Sequence, residues 1–219
     1  MMRKLFLSGL AALGLAVSSQ ATPVLVIWDD AGHTQTIYDN LAGDFASGSG
    51  QIAWVGSIGV WNLDVSVGVT TGSSANPILD LSSSSTSTGA GVLSVWYGDN
   101  NFGSSAGSVN ATIGGTLLTG ASLNFFSAYN LENDPIGASF VLTNGQYSGN
   151  PFSGSETASF NPSGPYALVD YVVLTHTRAG TSSYDAMVSV PESGSTAILM
   201  SFGLIGLGLV KRRNKSSRA

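Results

Sequence analysis

From residue 22 to residue 190, apolar and polar side chains alternate in short runs separated by clusters of Gly, Ser, Asn and Pro, and no stretch keeps a helical period. A chain patterned this way can bury one side of each run only by pairing the runs into sheets and packing those sheets face to face. In Gly59 to Val69, residues Trp61, Leu63, Val65, Val67 and Val69 alternate with Asn62, Asp64, Ser66 and Gly68, the period of a half-buried strand. Tyr166 to Arg178 alternates too, with Val169, Tyr171 and Val173 opposite Asp170, while Val172 and Leu174 make it apolar on both faces, as in a central strand. Ten further runs read as strands: Val24 to Trp28, Thr34 to Tyr38, Gln51 to Val55, Pro77 to Leu81, Val92 to Tyr97, Ser108 to Ile113, Ala121 to Tyr129, Gly137 to Thr143, Glu156 to Phe160 and Tyr184 to Val190. Their number and spacing predict an all-β fold, a β-sandwich of jelly-roll type. Ser82 to Thr88, a run of Ser and Thr, reads as an exposed loop, and 145–165 as loop broken by one strand. No internal repeat and no shift of composition divides residues 22–189, so they are expected to form one domain.

Charge narrows the partners. Of eight basic residues, Arg3 and Lys4 stand at the start and five stand from Lys211 to Arg218, leaving Arg178 alone in the middle. Twelve carboxylates against that one Arg give residues 22–190 a formal charge of -11. Binding a phosphate backbone requires several Lys or Arg on one face, so nucleic acid is excluded as a partner. The same field disfavours polyanionic glycans and anionic membranes. With no Cys, disulfides, thiolate nucleophiles and Cys-ligated metals are excluded together, and the core alone must hold the domain.

The two ends differ from the middle. Residues 1–21 read as a secretory signal, with a helical Leu5 to Val17 apolar stretch after Arg3 and Lys4 and a cleavage position after Ala21. At the other end Val190-Pro191-Glu192-Ser193-Gly194-Ser195 precedes an apolar helix, Thr196 to Val210, and a basic end, residues 211–218. Fifteen helical residues reach about 22 Å, short of a hydrocarbon core of about 30 Å, so this transmembrane helix engages the inner membrane transiently. The basic end stays cytoplasmic and places the acidic domain outside.

Residues 190–218 resemble the PEP-CTERM sorting tail, which has a short Pro-Glu motif, a short apolar helix and an Arg-rich end. Ser193 stands where the commoner motif has a second Pro, which brings Val190, Pro191, Glu192, Ser193 and Gly194 closer to the VPDSG-type variant, with Glu in place of Asp. Gln51 to Asn62 and Val92 to Gly103 are loosely similar to parts of other PEP-CTERM ectodomains. The resemblance implies an exosortase-type transpeptidase as partner, cleavage near the motif, and delivery to the cell surface or extracellular matrix.

Within the domain, chemistry-bearing residues are sparse. Two histidines, His33 and His176, would each need a neighbouring Ser and carboxylate for hydrolysis, and no nucleophile elbow precedes a helix. Asp64, Asp170 and Asp185 are the carboxylates in strands that a glycoside hydrolase could use. Oxygen donors for a structural calcium cluster at Asp99, Asn100 and Asn101, at Asp29-Asp30 and at Glu132-Asn133-Asp134, all expected in loops, although none has EF-hand spacing. Trp28, Trp54, Trp61 and Trp96 are the aromatic platforms available to a sugar, or else core residues. The leading expectation is a non-catalytic structural or adhesive surface protein with exopolysaccharide as a partner. The alternative is a carbohydrate-binding module with a carboxylate hydrolase activity.

Overall fold

A computed structural model of the protein describes residues 22–104 and 107–191. Twelve strands run in order: β1 (Val24–Asp29), β2 (Thr34–Tyr38), β3 (Gln51–Ile58), β4 (Trp61–Ser73), β5 (Asn76–Ser87), β6 (Gly91–Phe102), β7 (Gly107–Thr116), β8 (Ser122–Asn130), β9 (Phe140–Tyr147), β10 (Phe152–Phe160), β11 (Tyr166–His176) and β12 (Gly180–Ser189). They form two six-stranded antiparallel sheets, ordered β2-β1-β6-β11-β8-β9 and β10-β7-β12-β5-β4-β3. Each expected strand has a counterpart, several of them longer than the sequence suggests, and the one expected at Gly137 to Thr143 is displaced to Phe140–Tyr147, into the stretch read as loop. From β5 onward the chain winds so that β12 lies between β5 and β7 while β11 lies between β6 and β8. The expected signal helix and C-terminal helix lie outside the described residues.

The sheets pack face to face over one core. Leu25, Ile27, Leu93, Val95, Leu168 and Val172 of the first sheet meet Ile52, Leu63, Leu79, Leu81, Ala186 and Val188 of the second, all buried. Each Leu, Ile or Val among them contributes about 1.5–3 kcal/mol by leaving water. β11 sits between β6 and β8, in keeping with its apolar centre.

Two expectations are corrected by the packing. The alternation in β4 does not run unbroken, because a bulge at Asp64 between Leu63 and Val65 reverses the strand's faces. Trp61 and Leu63 point into the core before it, whereas Ser66 and Gly68 take the core side after it and Val67 turns outward. The reversal is stabilised on the core side by Ser66 Oγ, which lies 2.9 Å from Ser83 Oγ, and by the space that Gly68 leaves for the Tyr97 ring. The second correction is Ser82 to Thr88, which is no exposed loop up to Ser87. Those residues complete β5 between β4 and β12, with Ser83, Ser85 and Ser87 buried. Ser is tolerated there because each inward hydroxyl has a partner, Ser83 Oγ lying 3.0 Å from Ser85 Oγ as well as against Ser66.

Candidate functional site

The outer face of the first sheet carries a continuous group of half-buried aromatic rings. Register places Trp96 on β6 opposite Tyr171 on β11, and Tyr171 opposite Phe126 on β8. Directly paired residues of an antiparallel ladder share a face, so these three stand in one row across three strands. Trp28 on β1 joins from the next row. Tyr171 lies at the centre, 5.4 Å from Trp28 with planes at 13°, 5.6 Å from Phe126 at 22° and 5.5 Å from Trp96 at 46°. Such contacts contribute about 0.5–1.5 kcal/mol each beyond burial and fix the rings in place. The Tyr171 hydroxyl is 3.3 Å from Ser94 Oγ, and Trp96 Nε1–H donates to Pro135 O at 2.8 Å. That second bond ties the segment between β8 and β9 beside the row. Polar amides border the far end, Asn144 pairing with Phe126 and Gln146 with Asn124.

Of the four tryptophans, the structure brings only Trp28 and Trp96 to this face. Trp54, at 9% exposed, and Trp61, at 1%, belong to the core. Tyr171 and Phe126 are the members that sequence reading did not single out. Tyr171 does share a face with Val169 and Val173, and that face proves to be the outer one, because Asp170 points into the core.

The candidate carboxylates separate. Asp170 is 0% exposed, neither oxygen makes a close hydrogen bond among the described residues, and burial, reinforced by Asp80 and only partly offset by the Val188 backbone, pushes its carboxyl well above the usual range. Enclosed there, it cannot touch a substrate. Asp64, at the bulge, and Asp185 are exposed residues of the second sheet, away from the aromatic row. The structure adds Asp80, whose carboxyl is raised by partial burial and by Asp185, and the two border a depression beside Gly114 and Met187.

Each histidine has found a structural partner. Asp29 Oδ1 accepts the backbone N–H groups of Ala31 and His33, and its Oδ2 lies 2.8 Å from His33 Nδ1. Burial opposes the charge on Asp29, yet these bonds hold its carboxyl below the usual range. His176 is buried against Trp61, with Nδ1 2.8 Å from Ser87 Oγ and Nε2 2.7 Å from Ser182 Oγ. Among the described residues no carboxylate orients it, and both serines are buried.

Asp99, Asn100 and Asn101 lie at the end of β6, where a loop was expected. Asp99 Oδ1 accepts the Asn100 N–H at 2.7 Å, and burial pushes its carboxyl up to about 6. The amide oxygens are engaged as well, Asn100 Oδ1 by Thr22 N–H at 3.0 Å and Asn101 Oδ1 by Asn133 Nδ2 at 2.7 Å. Among the described residues no group of three or more His, Asp or Glu is placed to hold a metal ion. Of the tail motif, Val190 is buried and its N–H donates to Pro77 O at 3.0 Å, while Pro191 is exposed. Glu192, Ser193, Gly194 and the cleavage position at Ala21 lie outside the described residues.

No family model matches the chain, and no curated protein matches it. Among solved structures it is similar to a carbohydrate-binding module of the β-sandwich superfamily, at 15% identity and a TM-score of 0.34, over 76% of this chain and 72% of that one. It is also similar to an isomalto-dextranase of Arthrobacter globiformis T6 complexed with panose, at 10% identity and a TM-score of 0.25, over 75% of this chain and 29% of that one.

Proposed function

We propose that the protein is an exported, glycan-binding component of the cell surface or extracellular matrix, which adheres through the outer face of its first sheet. The observation that carries this reading is the row of Trp96, Tyr171 and Phe126 with Trp28 beside it, held half-buried on adjacent strands and bordered by amides. Sugar rings stack their apolar C–H faces on aromatic side chains and offer hydroxyls to neighbouring amides, so such a surface suits them. The winding of β5 to β12 supports reading the sandwich as a jelly roll. Binding is favoured over hydrolysis because Asp170 is enclosed, and Asp64 and Asp185 belong to the opposite sheet. Export by the signal segment and sorting through residues 190–218 would bring the domain to the matrix that it binds.

Electrophoresis through gels containing single polysaccharides tests the reading. At least one polysaccharide should retard the purified protein, and Trp28→Ala or Phe126→Ala should weaken retention about tenfold, a loss of about 1.4 kcal/mol. Equal retardation of the wild type and both variants, with their folds intact by circular dichroism, would reject it.

A further inference from the structure

Resting on that reading, we propose that the ligand is an uncharged glycan chain lying across the strands, along the line from β2 to β9, and that acidic polysaccharides are excluded. The distribution of charge is the first support. Although residues 22–190 carry twelve carboxylates, the outward positions of β2, β1, β6, β11, β8 and β9 that register assigns bear no charged side chain. They hold aromatic, aliphatic, hydroxyl and amide groups. The outward positions of the second sheet differ, carrying Asp64, Asp80 and Asp185, while Glu156 on the core side of β10 reaches the end of the row, its Oε2 accepting the Asn144 N–H at 3.2 Å. An uncharged face on so acidic a domain gives a polyanion nothing to pair with and a surrounding field that repels it.

The bordering segment strengthens the exclusion. Between β8 and β9 the charged residues are Glu132 and Asp134, both acidic and both exposed. Trp96 Nε1–H holds this segment at Pro135 O, and Gly98, two residues along β6, is what admits it, since a Cβ there would collide with the same carbonyl. The segment therefore walls one side of the aromatic row.

Direction follows from register. The row is Thr36, Val26, Trp96, Tyr171, Phe126 and Asn144, one residue from each of the six strands. At about 4.8 Å between strands it spans about 24 Å, the length of several linked sugars. A disaccharide would cover part of it only. All-equatorial pyranoses suit the row best, because their ring faces present C–H groups to the aromatic rings and their hydroxyls radiate from the ring edge, within the range of Asn144 at the end of the row and Gln146 in the adjacent one.

Titration calorimetry with β-1,4-linked glucose oligosaccharides, set against oligogalacturonate as the acidic counterpart, tests the inference. Affinity should rise at least about tenfold from disaccharide to hexasaccharide. It should change little with salt and be absent for oligogalacturonate. Asn144→Ala with Gln146→Ala, on the edge strand, should weaken the hexasaccharide severalfold without altering the fold. Tighter binding of oligogalacturonate, or a disaccharide bound as well as the hexasaccharide, would overturn the inference and leave glycan binding standing. Binding of no oligosaccharide or polysaccharide at all would remove both.

Discussion

Gly68 of β4 faces Tyr97 of β6 across the sandwich, and the ring of Tyr97 occupies the space a Cβ on Gly68 would need. The contact lets the Tyr97 hydroxyl reach the far sheet, where it donates to Gly50 O at 3.2 Å and lies 2.8 Å from Thr70 Oγ1. Gly68→Ala should therefore destabilise the protein by about 1–3 kcal/mol through overpacking. Tyr97→Phe, which keeps the ring and loses the bonds, should cost about 1 kcal/mol. Urea unfolding midpoints measure both, and an unchanged midpoint for Gly68→Ala would show that the sheets are not so closely apposed.

His176 closes a chain of hydrogen bonds that uses every donor in one arrangement. Leu118 N–H donates to Ser182 Oγ at 2.9 Å and Ser182 donates to Nε2, while Nδ1–H donates to Ser87 Oγ, which donates to Arg178 O at 3.3 Å. The imidazole is then neutral, and burial lowers its pKa. Ser182→Ala should cost about 1–3 kcal/mol by stranding a buried ring nitrogen. Because the folded state resists a proton that the unfolded chain accepts near pH 6.5, this contribution is present above that pH and is lost as the pH falls. Thermal melts of His176→Gln should lack that acid-side loss.

Asp170 acts with the opposite sign. Its raised pKa means that the folded state keeps a proton which the unfolded chain releases above about 3.8, so its contribution is full below that pH and is lost as the pH rises. The slope is about 1.4 kcal/mol per pH unit across the interval between the two pKa values. Asp170→Asn should remove this slope, and denaturation between pH 4 and pH 7 would show it. Parallel curves for wild type and variant would mean that Asp170 is ionised in the core.

Strand positions were legible in the sequence, since each run of alternation became a strand, whereas which side of a strand faces inward often was not. A period of two defines two faces and does not label them. Trp61 sits in a regular alternation and Trp96 in a run apolar at all but Ser94, and neither pattern labels the inner side: Trp61 packs on His176 in the core, and Trp96 faces outward beside Tyr171. In β4 the bulge at Asp64 hides a reversal that leaves Val67 outside and Ser66 inside. Ser83, Ser85 and Ser87 read as loop because their burial depends on partners in β4 and β11 that are remote in sequence. The aromatic row was missed for the same reason, because Trp96, Tyr171 and Phe126 meet only through the register of three strands.

The sorting reading makes its own prediction. Mature protein from the surface or secreted fraction should begin near Thr22, end close to Glu192 and lack the segment from Thr196 to Val210, as intact-mass spectrometry would show. Replacing Pro191 and Glu192 by Ala should leave the uncut form at the inner membrane. Full-length protein through Ala219 as the only species in cells with an active exosortase would contradict it.

Glycan binding by the outer face is tested most directly by the four tryptophan indole N–H resonances, followed by NMR while a neutral hexasaccharide is added. Trp28 and Trp96 stand on the proposed face, and Trp54 and Trp61 are enclosed in the core. The signals of Trp28 and Trp96 should shift on saturation while those of Trp54 and Trp61 stay in place. Binding that leaves Trp28 and Trp96 unmoved would contradict the account.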